Sequence, residues 1–258
     1  MERTDYTTYL HIDELLRLQH PLSDGAHDEM LFVITHQVYE LWFKLILHEL
    51  DHARDVLLQS QPQLAVAPLR RTVMIEELLI TQLRILETMS PDGFMRFRDP
   101  LAPASGFQSG QFRAIESIGG IRPPALFDDP VLSDHDRQEL RRRAGQPTLF
   151  EALCASLRSA GLDAPDGAGV DEHARRLASL VALYREHAGE LPSLLHQVCE
   201  LLLDHDEALA RWRSDHALMA AREIGLRQGT GGSLGVAYLL ETLGTRLFPE
   251  LWEVRSLL

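Results

Sequence analysis

The chain has 258 residues, is 45% hydrophobic and carries a formal charge of −13 at neutral pH. That is enough to bury a substantial core as one large domain or two small ones, while phosphate neutralisation needs clustered Lys and Arg that this acidic chain lacks, so a nucleic-acid partner is not expected. No apolar run reaches the roughly eighteen residues of a spanning helix, and the start MERTDYTTYL lacks the layout of a signal peptide, so the expectation is a cytoplasmic protein without a membrane anchor.

Strand signals are almost absent and long stretches follow helical periodicity, which predicts an all-α protein. Residues 28–58 contain no Pro or Gly and are apolar on two sides. Leu31, Ile34, Val38, Leu41 and Leu45 form one row, and Phe32, His36, Tyr39 and Phe43 another, as in a central helix. Inside it, His48-Glu49-Leu50-Asp51-His52 matches H-E-x-x-H, a helical zinc motif in which His at i and i+4 share a metal. A zinc site needs a third ligand, and the nearby acids Glu76 and Glu77 lie in no ligand signature; the alternative is the polar side of an amphipathic helix. A second helix is predicted over 67–87, ending ahead of Ser90-Pro91. The stretch MSPDGFMRFRDPLAPASGFQSGQ mixes Pro, Gly and Ser with aromatics and arginines, which reads as a structured functional loop. Further helices are expected near 107–118, 133–144, 147–160, 171–188 and 193–225, with a last one over 234–246. Between them, AGLDAPDGAGVDE at 160–172 is the most linker-like piece. Cys154 and Cys199 stand far apart in helical patterns and read as buried thiols, not a disulfide.

Several residues could carry chemistry. His36 lies one turn after Phe32 on the same helical face, where a satisfied core histidine is the alternative. His216 has Trp212 at i−4, Met219 at i+3 and Ala220 at i+4, neighbours that suit a flat apolar cofactor and equally suit ordinary packing. Arg98 follows Phe94 and Phe97, and its guanidinium could meet a carboxylate bidentately; a surface pair with Asp99 is the competing reading. The loop RQGTGGSLG is neither a P-loop nor G-x-G-x-x-G, but it places the Thr230 hydroxyl between two glycines, where backbone can approach a small ligand.

Taken together, YTTYLHIDELLRLQHPLS, MLFVITHQVYELWFKLILHELD, FMRFRDPLAPASGFQSGQFRAIE and GTGGSLGVAYL with LFPELWEVR resemble tryptophan 2,3-dioxygenases, haem enzymes that open the indole ring. The resemblance covers nearly the whole chain, densest in 6–119 and 205–255. It implies one all-α domain over 1–258 enclosing haem b, with residues 1–20 as an arm reaching a neighbouring subunit of a homotetramer and 160–172 as a flexible loop. It implies that HELDH is structural, that His216 is the axial ligand of the haem iron (ferrous in the active state) beside Trp212, and that His36 sits near the indole N–H on the dioxygen side. Phe32 would pack on the indole, with Phe94 nearby. Arg98 would pair with the L-tryptophan carboxylate, and Thr230 would contact its ammonium and carboxylate. Leu101, Ser105 and Gly106 would line the pocket, and Tyr6 and Tyr9 would come from the neighbouring subunit. The reaction implied adds both atoms of O₂ across the indole C2–C3 bond to give N-formylkynurenine. The chain departs from the family pattern at Gly25–Glu29, at Leu234 and at Ser214-Asp215. Those departures leave open a relative acting on a substituted tryptophan or indole, possible insertion of a single oxygen atom included, or a haem sensor without catalysis.

Overall fold

The computed structural model describes residues 4–186, 193–225, 227–231 and 234–258. Two short helices, α1 (Tyr6–Leu10) and α2 (Ile12–Leu15), form the amino-terminal arm, and the body follows as α3 (Asp28–Leu58), α4 (Pro62–Leu86), α5 (Pro91–Leu101), α6 (Gly110–Ile118), α7 (Asp134–Ala144), α8 (Leu149–Ser159), α9 (Val170–Glu186), α10 (Leu194–Ile224), α11 (Val236–Glu241) and α12 (Pro249–Glu253). No strand occurs among the described residues. Hydroxyl caps set many of the starts: Ser90, Ser109, Ser133, Thr148 and Ser193 each accept a backbone N–H of their own first turn, satisfying a donor that the helix leaves orphaned.

Helix α4 is sandwiched between α3 and α10, and α3 also packs on α6 and α8. Tyr39, Phe43, Ile46, Leu50, Ala53 and Leu57 of α3 enter the core. The other predicted apolar row of α3 is divided: Leu31 and Leu45 pack against the hydrophobic clusters, while Ile34 is 44% and Leu41 51% exposed. By length and composition α3 does contain a stretch apolar enough to cross a membrane, contrary to the sequence-based expectation. Its packing on α4, α6 and α8, with ion pairs that each have one buried partner, places it instead as a core helix.

The HELDH segment supplies those pairs. Glu49 is buried and meets Arg71 at 2.7 Å, so it does not lie on a solvent-facing polar side. Asp51 accepts two hydrogen bonds from Arg143 at 2.9 Å each and one ion pair from Arg54, tying α3 to α7. Both acidic candidates for a third zinc ligand are also engaged, Glu76 with His205 at 2.7 Å and Glu77 with Arg211 at 2.6 Å. His48 and His52 are exposed. Replacing His48 or His52 by Ala is therefore expected to leave turnover within about twofold, as surface substitutions usually do. Asp51→Ala should destabilise the fold by roughly 1–3 kcal/mol, because two buried guanidinium groups lose an acceptor; denaturant midpoints check the second and steady-state rates the first.

Three boundaries differ from the sequence reading. Helix α4 begins at Pro62, five residues before the predicted start, because proline is well placed at the first helical position. Half of the predicted 89–111 loop is helix α5, started by the Ser90 cap with Pro91 behind it. The last predicted helix stops at Glu241 and gives way to a 3₁₀ turn at Thr242–Gly244, and α12 was not anticipated. Asp206 holds α12 in place by accepting from the Leu247 and Phe248 N–H groups and from Trp252 Nε1. The 160–172 segment is hydrogen-bonded to α8 and α9: Arg176 donates to the Pro165 and Gly167 carbonyls, Arg158 to Asp166, and Ser179 to the Asp163 carbonyl. Cys154 and Cys199 are free and buried, and burial pushes the Cys154 thiol up to about 12.

Candidate active site

A cavity of about 300 Å³ opens between α3, α4, α5, α6, α10 and α11, closed by the loop at 105–109 and by Gly229, Thr230 and Gly235. Helical spacing explains what faces it. On α10 the positions Trp212, His216 and Ala220 recur every four residues, with Arg213, Met219 and Glu223 beside them. On α3, Phe32, His36 and Glu40 do the same, flanked by Tyr39 and Phe43. Each set forms one face of its helix.

The α10 wall is built around His216. Its ring stacks on the Trp212 indole, with centroids 5.0 Å apart and planes 8° apart. Trp212 Nε1 donates to the Tyr39 hydroxyl at 3.4 Å, and that hydroxyl donates to the Leu79 carbonyl at 2.6 Å. This relay fixes the indole and, through stacking, the imidazole. Burial pushes the His216 pKa down to about 4, with the His36 charge adding to the effect, so the imidazole is neutral at physiological pH. A neutral imidazole with a free lone pair is a metal ligand in waiting.

On the α3 wall, His36 Nδ1 lies 2.7 Å from the Phe32 carbonyl. A carbonyl only accepts, so Nδ1 carries the proton and Nε2 is left as an acceptor. Burial also lowers the His36 pKa, opposed by the Phe32 hydrogen bond and the Glu40 charge. Phe32 lies 4.1 Å from the His36 ring and 5.9 Å from the Phe94 ring, while Phe94 and Phe97 meet edge to face. This aromatic group forms one apolar side of the cavity.

Arg98 enters beside it from α5. It donates to the Gln228 carbonyl, which joins α5 to the glycine-rich loop, while its Nε is buried without a partner. No ion pair with Asp99 forms. Thr230 donates its hydroxyl proton to the Ala104 carbonyl at 2.6 Å, so its oxygen can only accept from a ligand. The two loops touch so closely that a Cβ on Gly231 would fall 2.6 Å from Ser105 Cβ, and Gly235 adopts φ +61°; both positions need glycine.

Of the residues singled out in the sequence, Phe32, His36, Phe94, Arg98, Ser105, Gly106, Trp212, His216 and Thr230 line this cavity. Leu101 does not. It packs into the cluster of Met89, Phe94 and Phe97 behind the wall. Tyr6 and Tyr9 lie on the arm, 75% and 72% exposed and away from the cavity. Sequence reasoning missed the charged end of the site, where Glu116 bridges Arg113 at 2.5 Å and Arg213 at 3.0 Å, and Arg113 Nε is buried without a partner. Arg213 precedes His216 by three residues, so the spacing that found Trp212 would also have found it.

A neutral imidazole, a fixed indole and a guanidinium whose Nε is free around one apolar cavity define an enzyme-like small-molecule site. The family model described as Tryptophan 2,3-dioxygenase matches residues 1–166 and 168–258. The chain is 42% identical to the tryptophan 2,3-dioxygenase of Herpetosiphon aurantiacus over 97% of both chains. It is also 42% identical to that of a Nocardioides species, over 97% of this chain and 93% of the relative, and 39% identical to that of an Anaeromyxobacter species over 98% and 96%. The chain belongs to the tryptophan 2,3-dioxygenase family.

Proposed function

We propose that the protein is a haem-dependent dioxygenase that converts L-tryptophan to N-formylkynurenine, and that the cavity is its active site. One observation carries the reading: two neutral imidazoles, His216 from α10 and His36 from α3, enter one apolar cavity together with an arginine that lacks a carboxylate partner. The residues fit haem b. His216 would hold the iron, Trp212, Met219 and Ala220 would pack on the macrocycle, and the unpaired Arg113 Nε suits one of its carboxylates. When bound, ferrous haem supplies the site where dioxygen is activated.

The chain's own groups orient the substrate. Arg98 would take the amino-acid carboxylate, and the Thr230 oxygen, whose proton is committed to Ala104, would accept from the ammonium. This narrows the sequence expectation that Thr230 contacts both ends. His36 Nε2 would accept the indole N–H, and Phe32 and Phe94 would exclude water around the ring. A zwitterion brought into such a pocket needs a partner for each charge. A homotetramer fits the exposed arm tyrosines and the apolar positions Ile34, Leu41, Met74 and Ile85 on the outer faces of α3 and α4, which a partner subunit would cover.

His36→Ser tests whether His36 orients or abstracts. Loss of one orienting hydrogen bond should lower kcat/KM by roughly threefold to tenfold, in keeping with about 0.5–1.5 kcal/mol. A general base would cost on the order of 100-fold or more. The function itself is checked by oxygen-dependent formation of N-formylkynurenine by the haem-loaded protein; haem-loaded protein that binds tryptophan and forms no product contradicts it.

A further inference from the structure

Three carboxylates line the cavity, and they are held in three different ways. Glu116 is neutralised by Arg113 and Arg213. Glu223 has a carboxylate oxygen buried without a partner, and burial raises its pKa, opposed by Arg222 and reinforced by Glu87 and Asp28. Glu40 forms no ion pair among the described residues. Its partner is neutral: Gln111 Nε2, from α6, donates to the Glu40 backbone carbonyl and to its Oε2, both at 2.8 Å. An amide clamp fixes a carboxylate without cancelling its charge. Glu40 also stands one helical turn after His36 on the row Phe32, His36, Glu40, and side chains four residues apart on a helix are neighbours.

We propose that Glu40 is a positioning residue for the reaction: clamped by Gln111, its fixed charge sets the pH range over which His36 keeps a free Nε2 for the substrate's indole N–H. The inference rests on the substrate orientation given above. The charged and titratable groups that reach the cavity around His36 are Tyr39 and Glu40 on α3, Arg98 on α5, Arg113 and Glu116 on α6, Arg213, His216 and Glu223 on α10, and Tyr238 on α11. Of these, Glu40 is the one whose charge acts on His36, and it favours the protonated form against the opposing effect of burial. Protonated His36 has donors on both nitrogens and offers the indole N–H nothing. As pH falls, substrate recognition is therefore lost when His36 gains its proton. Removing the Glu40 charge depresses that protonation further and moves the loss to lower pH.

The experiment measures the pH dependence of L-tryptophan affinity under anaerobic conditions and of kcat/KM in air, with haem-loaded wild type, Glu40→Gln, Gln111→Met and the His36→Ser pair with and without Glu40→Gln. The expected result is an acid limb displaced to lower pH in Glu40→Gln, a smaller displacement in the same direction when Gln111→Met releases the carboxylate, and no displacement by Glu40→Gln once His36 is Ser. A uniform fall at every pH with the limb in place shows a merely structural brace and overturns the proposal, as does a displacement that persists without His36. Should Glu40→Gln fail to fold, Gln111→Met carries the same test. Affinity that shows the expected displacement while wild type makes no product refutes the dioxygenase reading and keeps the role of Glu40; wild type that neither binds nor oxidises tryptophan refutes both.

Discussion

His216→Ala is expected to abolish stable haem binding, reducing the purified protein from about one haem per chain to a small residual fraction, since His216 is the imidazole proposed to hold the iron. His216 is the one histidine that α10 presents to the cavity, and the other histidine lining it, His36, stands on the α3 wall. The ring is held by stacking on an indole that is itself bonded to Tyr39, so loss of the side chain should leave the pocket standing. Absorbance of the purified variant, with helical content measured beside it, separates lost ligation from lost fold. Full haem retention by a folded His216→Ala protein contradicts the assignment of the iron ligand.

The second large effect is expected at Arg98. A guanidinium facing a substrate carboxylate in a water-poor cavity forms a pair whose disruption costs roughly 3–5 kcal/mol, because the remaining charge is stranded. At about 1.4 kcal/mol per tenfold, Arg98→Leu should lower kcat/KM for L-tryptophan by about two to three orders of magnitude. Indoles without a carboxylate should lose far less. Arg98 also donates to the Gln228 carbonyl, so the variant should be compared at matched haem content to separate loop displacement from lost pairing. If wild type oxidises a carboxylate-free indole better than tryptophan and Arg98→Leu changes neither rate, the substrate is a substituted indole and not the free amino acid.

Much of this site was legible in the sequence because it lies on helices. Phe32 and His36 share a face by spacing alone, as do Trp212, His216 and Ala220, and a periodicity of 3.6 carries that information without knowledge of tertiary contacts. The glycine-flanked Thr230 and the aromatic setting of Arg98 were also visible. What the sequence could not give was the pairing between elements. That Glu49 meets Arg71, or that Asp51 is held by Arg143 from α7, depends on contacts across 22 to 92 residues of chain, and so the zinc-like HELDH looked like chemistry or a solvated face when it is an interhelical brace. Leu101 shows the opposite limit. By helical spacing it shares a face with Phe94 and Arg98, yet it packs into the cluster of Met89, Phe94 and Phe97 and does not line the cavity, an outcome set by contacts that spacing does not carry. Arg213 was within reach of the same spacing, but its pairing with Glu116 and Arg113 joins two helices and is not carried by periodicity.

The central claim, that this cavity oxidises the indole ring of tryptophan with both atoms of dioxygen, is tested most directly by isotope labelling. Reduced, haem-loaded protein mixed with L-tryptophan and ¹⁸O₂ in a single turnover should yield N-formylkynurenine in which mass spectrometry finds both oxygens labelled. A product carrying one labelled oxygen, or haem-loaded protein that binds tryptophan and returns it unoxidised, would contradict the account.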